Sequence, residues 1–194
     1  MPNLPRNEAV LDFLKTRRSV PWNMLKPPAP EGEALEELLE IASRVPDHGM
    51  LVPWRFLVIA PKAGERLSAL ALKRGSALGI EEEKCRKVAR MFAHAPLIVA
   101  VIFTPKESEK APKWEQRLTN GAVCLTLLNA AHAAGWGANW LTGWVAQDRA
   151  FLEEGLGLAP GEELSGFIHI GTPAERPAER ARPDLAGLVS RLDE

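Results

Sequence analysis

Gly121-Ala122-Val123-Cys124-Leu125-Thr126-Leu127-Leu128-Asn129-Ala130-Ala131 is the stretch on which the fold turns. It is the latter half of a helix predicted over residues 112–134, and it is apolar almost all the way round. A helix without a polar face is covered on two sides. In a chain of 194 residues, one side packs on the chain's own sheet and the other is expected to meet a partner subunit. Gly135, suited to a left-handed cap, ends this helix, and Ala138-Asn139-Trp140-Leu141-Thr142 follows as a strand. Upstream, Leu97–Phe103 is apolar throughout and reads as a central strand.

Further out, Phe56–Ala60 and Phe167–Ile170 read as two more strands. Residues 7–17 form a helix with Val10, Phe13 and Leu14 on one side. Residues 33–45 form a second, with Leu35, Leu38, Leu39, Ala42 and Val45 at helical spacing. Glutamates crowd its start and Arg44 stands at its end, as the helix dipole favours, and Pro46 stops it. Helices are also predicted over residues 64–77 and 148–155, and the charged run Glu81–Lys87 leads into a short one. Uneven alternation of strands and helices indicates an α+β fold, a mixed sheet covered by helices, in one domain over residues 1–194. Residues 172–194 read as a C-terminal arm: Thr172–Pro183 is proline-rich, charged and poor in apolar side chains. Leu185, Leu188, Val189 and Leu192 then suggest an amphipathic helix that docks elsewhere.

Composition excludes several classes. Charged residues are 25% and hydrophobic ones 46%, as in ordinary globular proteins, and the net charge of −1 gives no pull toward nucleic acid or an anionic membrane. The longest apolar run, Ala95–Phe103, is too short to span a bilayer. Met1–Arg6 holds no signal-peptide core, and Cys85 and Cys124 stand in no metal or redox spacing, so a reducing cytoplasm is the expected compartment. His48, His94, His132 and His169 are scattered, which argues against a zinc site. Neither a phosphate loop nor a nucleophile elbow is present, and Gly135-Trp136-Gly137 follows a helix where a Rossmann turn would follow a strand.

What remains is a set of polar groups at element ends. Arg17-Arg18-Ser19 closes the first helix, and Ser43-Arg44-Val45-Pro46-Asp47-His48 closes the second ahead of Pro53-Trp54-Arg55-Phe56. Arginine forks and a hydroxyl suit a phosphate with a polyol tail. A basic helix C-terminus serving the dipole explains the same arginines from the residues alone. Six tryptophans and no tyrosine could pack a core or wall a flat ring.

Taken in order, these segments resemble the flavin-dependent nitroreductase family, in particular its small bacterial NAD(P)H nitroreductase branch. Added to the stretches above, the resemblance rests on Lys113-Trp114-Glu115-Gln116, Gly135-Trp136-Gly137-Ala138-Asn139-Trp140-Leu141-Thr142-Gly143 and Gly166-Phe167-Ile168-His169-Ile170-Gly171-Thr172-Pro173. It implies an α+β fold with a largely antiparallel central sheet flanked by helices, and a homodimer with FMN at the subunit interface. It further implies that Arg17, Arg18 and Ser19 hold the phosphate and ribityl chain. Arg44 and His48 would reach the cofactor from the other subunit, and Trp140, Leu141 and Thr142 would line it. The turn Ala131-His132-Ala133-Ala134-Gly135-Trp136 would meet NADH or NADPH. Two departures stand out: His48-Gly49-Met50-Leu51-Val52 replaces a loop often rich in serine and asparagine, and Arg176, Arg180 and Arg182 compete for the phosphate contact after the final Gly-x-Pro.

The implied activity is two-electron, ping-pong reduction of a nitroaromatic, quinone or related small acceptor by NAD(P)H, with the flavin carrying the chemistry and no catalytic side chain. A flavin-binding protein with a sensory or storage role is the alternative. Neither nucleic acid nor membrane is expected as a partner.

Overall fold

The computed structural model describes residues 5–192. In chain order the elements are α1 (Glu8–Thr16), β1 (Leu25–Lys26), α2 (Glu33–Ala42), β2 (Trp54–Ile59), α3 (Pro61–Ala77), α4 (Glu82–Ala93), β3 (Leu97–Phe103), α5 (Lys113–Ala133), β4 (Gly137–Leu141), α6 (Arg149–Leu156) and β5 (Glu163–Pro173). Single 3-10 turns lie at Trp22–Met24, Trp144–Ala146 and Leu185–Gly187.

The sheet is built around β5. It pairs with β3, which pairs in turn with β2, while β4 and β1 pair with β5 as well. Every described pairing is antiparallel, with Val99 opposite both Val58 and Ile168. Each residue of β3 is buried, because the sheet is covered on both faces. Ile98, Ala100 and Ile102 face a cluster made with α3, α4 and α6, whereas Leu97, Val99 and Val101 face α2 and α5. Strand alternation thus feeds two cores from one continuous apolar run.

Helix signals act where expected. Asn7 caps α1 by accepting the Val10 N–H at 3.2 Å. Pro61 opens α3, where its missing N–H costs nothing. Gly157, at φ 66°, ends α6 in the left-handed region. Glu81 stands at the N-cap of α4 and residues 82–87 of the charged run lie within the helix instead of ahead of it, with Cys85, Val88, Ala89, Met91 and Phe92 turned inward. Beyond Ala42, α2 gives way to a turn, so Ser43–Pro46 are its exit.

β5 is longer than Phe167–Ile170, the four residues that announce it. Its last two residues, Thr172 and Pro173, pair with Lys26 and Leu25, so the start of the expected arm belongs to the sheet. After it, Ala174 N–H donates to Met24 O at 2.8 Å and the chain continues without strand or long helix. Among the described residues only one 3-10 turn forms near the end, and Leu185, Leu188, Val189 and Leu192 all stay exposed. α5 buries Val123, Cys124, Leu127, Leu128, Ala130 and Ala131. Its other side leaves Trp114, Leu118 and Leu125 exposed, at 63%, 66% and 45%. No helix among the described residues is long and apolar enough to cross a membrane.

Candidate cofactor site

The segment Arg17-Arg18-Ser19 is pinned at both ends. Arg17 N–H donates to Phe13 O and closes α1, and Val20 N–H donates to Ala138 O at 2.9 Å on the outer edge of β4. This staple brings the basic segment against the exit of α5. Arg17 and Arg18 line a cavity of about 460 Å³ together with His132, Gly135, Trp136 and Arg176. Three remote parts of the chain therefore converge: the end of α1, the turn from α5 into β4, and the arm after β5.

The cavity is electrically unbalanced. Arg17 donates from Nη2 to Ser19 Oγ at 3.3 Å, yet its Nε is buried with no partner. Burial, then the neighbouring Arg18 and Arg182, hold its pKa below the ordinary arginine value. Arg18 is differently engaged, since its Nε donates to Ala178 O at 3.1 Å and ties down the arm. Arg182 pairs with Glu179 at 2.9 Å and donates to Lys15 O. Of the three arginines after β5 that compete for a phosphate, Arg176 is the one at the cavity wall. An orphaned guanidinium N–H among several cations fits a doubly charged anion such as a phosphate monoester.

The second set of residues lies elsewhere in the chain. His48 and Asp47 border a cavity of about 510 Å³ with Glu115 and Thr119 of α5. His48 Nδ1 stands 2.8 Å from Glu115 Oε1. This contact orients the ring. The loop holding His48 is strained: Gly49, Met50 and Val52 all have positive φ, and a β-branched residue at φ 48° is an outlier. Asp47 Oδ2 cinches the loop by accepting the Val52 N–H at 2.8 Å. Arg44 is exposed at the exit of α2. Glu115 appeared in the sequence only as part of a motif. Its pairing with His48 spans 67 positions and leaves no local signal.

Trp140, Leu141 and Thr142 do not share one wall within the chain. Alternation turns Trp140 toward the α5 side, where its Nε1 donates to Ser165 O at 3.2 Å and its ring lies over Gly166. Leu141 packs with the opposite core, and with Thr142 it borders a cavity of about 410 Å³ beside Trp22, Lys87, Met91 and Trp144. In the turn Ala131–Trp136, Ala131 is wholly buried, Ala133 and Ala134 are exposed, and His132, Gly135 and Trp136 reach the arginine cavity. Among the described residues no cluster of three or more His, Cys, Asp or Glu is present.

This architecture can be placed among known proteins. Residues 14–172 match the model of the family described as "Nitroreductase family". The chain belongs to the nitroreductase family, whose members are oxidoreductases. It is 34% identical over 163 residues to the Escherichia coli (strain K12) protein called "Putative NAD(P)H nitroreductase YdjA", a match covering 84% of this chain and 87% of that protein. Among solved structures, a nitroreductase-like protein from Bacillus cereus superposes with a TM-score of 0.79, covering 99% of this chain and 100% of its own, at 21% identity. That likeness is one of fold. A Desulfovibrio desulfuricans protein crystallised as "a putative nitroreductase in complex with fmn" gives a TM-score of 0.74 at 25% identity, covering 97% and 98%.

Proposed function

We propose that this nitroreductase-family chain is an FMN-dependent NAD(P)H oxidoreductase. As a homodimer it reduces nitroaromatic, quinone or related small acceptors by two electrons in a ping-pong cycle. The observation that carries the reading is the half-exposed Arg17 side chain at the wall of a cavity, its Nε buried and unpaired and its neighbours Arg18 and Arg182 of like charge. The FMN-bound relative and the naming of the Escherichia coli relative support it.

When bound, FMN accepts a hydride from the nicotinamide and passes the electrons on. The protein's part is binding and placement. Arg17, with Arg18 and Ser19, holds the phosphate and the ribityl chain. Trp140 and the strand end at Leu141-Thr142, whose side chains leave β4 on opposite faces, border the ring along that strand. Arg44 and His48 lie away from these residues in their own chain, and on this reading they approach the cofactor of the partner subunit. Glu115 holds the His48 ring as it does so. Exposed Trp114, Leu118 and Leu125 on α5 supply the apolar face of the dimer. A nucleophilic side chain is not needed: Cys85 is buried, and burial pushes the Cys124 thiol up to about 12. Cytoplasmic residence, with both thiols reduced, completes the reading.

The test is the visible spectrum of the purified protein, followed by anaerobic titration with NADH and with NADPH. Flavin absorbance that bleaches with one nicotinamide and returns with a nitroaromatic or a quinone is the expected result. A colourless monomer indifferent to added FMN would overturn it. A yellow protein that no nicotinamide bleaches would point instead to flavin storage or sensing. Arg17→Ala should raise the FMN dissociation constant by roughly 10- to 150-fold, the loss of one charged hydrogen bond at about 1.5–3 kcal/mol.

A further inference from the structure

His132 carries a second unpaired donor at the wall of the arginine cavity, and its protonation can be read from its neighbours. Ala138 is wholly buried. Its carbonyl accepts the Val20 N–H, so both of its backbone groups face the outer edge of β4, away from β5. On that side His132 Nε2 stands 3.2 Å from the Ala138 nitrogen and 3.1 Å from its oxygen. The oxygen already accepts from Val20, and the amide N–H points at Nε2. A buried amide requires an acceptor. Nε2 must then be the lone-pair nitrogen, and the proton of the neutral ring sits on Nδ1.

That Nδ1–H is buried and has no partner in the chain. The Arg17 Nε–H, bordering the same cavity, is in the same condition. Glu175 is the only carboxylate residue lining the cavity and is hydrogen-bonded to neither donor, while Arg18 and Arg176 add positive charge. Burial lowers the His132 pKa; the Ala138 backbone contact opposes this and the nearby Arg17 charge adds to it. Two unsatisfied N–H groups on different elements, in a cation-lined cavity, call for one anionic acceptor. We propose that His132, locked in the Nδ1–H tautomer by Ala138, donates a hydrogen bond to the phosphate end of the bound cofactor beside Arg17. This assigns the centre of the Ala131–Trp136 turn to cofactor recognition in place of nicotinamide contact, and it rests on the FMN reading above.

Two substitutions separate the two nitrogens. His132→Gln puts an acceptor where Nε2 stands and keeps the Ala138 bond, but has no donor at the Nδ1 position. His132→Asn places a donor at the Nδ1 position and abandons Ala138. The measurement is the dissociation constant for FMN and for riboflavin, which lacks the phosphate, by flavin fluorescence titration of the apoprotein. His132→Gln should weaken FMN about tenfold, equivalent to about 1.4 kcal/mol, and leave riboflavin unchanged. His132→Asn should keep the preference for FMN over riboflavin and unfold at a lower temperature. Unaltered FMN affinity in His132→Gln, or parallel losses for FMN and riboflavin, would overturn the assignment. If His132→Gln does not fold, loss of the FMN preference in His132→Asn does so. Failure of the unsubstituted protein to bind FMN marks the functional reading, and not the histidine, as the point of error.

Discussion

His169 sits in the middle of β5 with no exposure and no hydrogen bond on either ring nitrogen. Desolvation pushes its pKa down to about 3, against an unfolded value near 6.5. The unfolded chain therefore takes up a proton that the folded chain refuses. The stability this group supports is complete above pH about 6.5 and drains as pH falls from there toward 3, by at most about 1.4 kcal/mol per unit. His169→Leu should flatten the fall of the urea midpoint between pH 6.5 and 4, because neither nitrogen leaves a partner behind. Parallel pH curves for the two proteins would clear His169 of the acid sensitivity. Arg17 is the opposite case. Its place at a helix end was plain in the sequence, but dipole capping explained it equally well. What separates the readings is the burial of Nε, which depends on residues more than a hundred positions away.

Elements were legible to the degree that their signals are local. The apolar run of β3, the amphipathic period of α2 and the glycine exit of α5 each follow from neighbours within a few residues, and they stand within a few residues of where the pattern puts them. β1 was not legible: two residues carry no period, and Leu25-Lys26 becomes a strand only because Pro173 and Thr172 lie opposite. The pairing of β4 with β5 also sets a steric requirement. A Cβ on Gly166 would stand 2.0 Å from Trp140 Nε1. Gly166→Ala should displace the indole, break its bond to Ser165 O and cost about 1–3 kcal/mol as overpacking. A thermal melt should register this as a fall of roughly 2–12 °C. An unchanged melting temperature would mean that the ring has room to move. The same strand shows why consecutive residues misled: Trp140 and Leu141 are adjacent in sequence and opposite across the sheet.

Across the whole molecule, α5 has two apolar sides and the chain covers one. Leu118→Glu places a charge on the exposed side without touching the buried residues, so it should leave the chain folded and turn the proposed homodimer into a monomer in size-exclusion chromatography. A variant that still elutes as a dimer would move the interface away from α5. By itself the sequence determined the longer secondary elements, the α+β class and the family resemblance, because hydrophobic period, caps and motif order are properties of short stretches. Only the tertiary structure decided that Arg17, His132 and Arg176 share a cavity, that Glu115 holds His48, and that the Arg17 Nε and the His132 Nδ1 are buried without partners. Those facts depend on which distant groups share buried space and which donors remain without acceptors there, a condition that exists only once the chain has closed on itself.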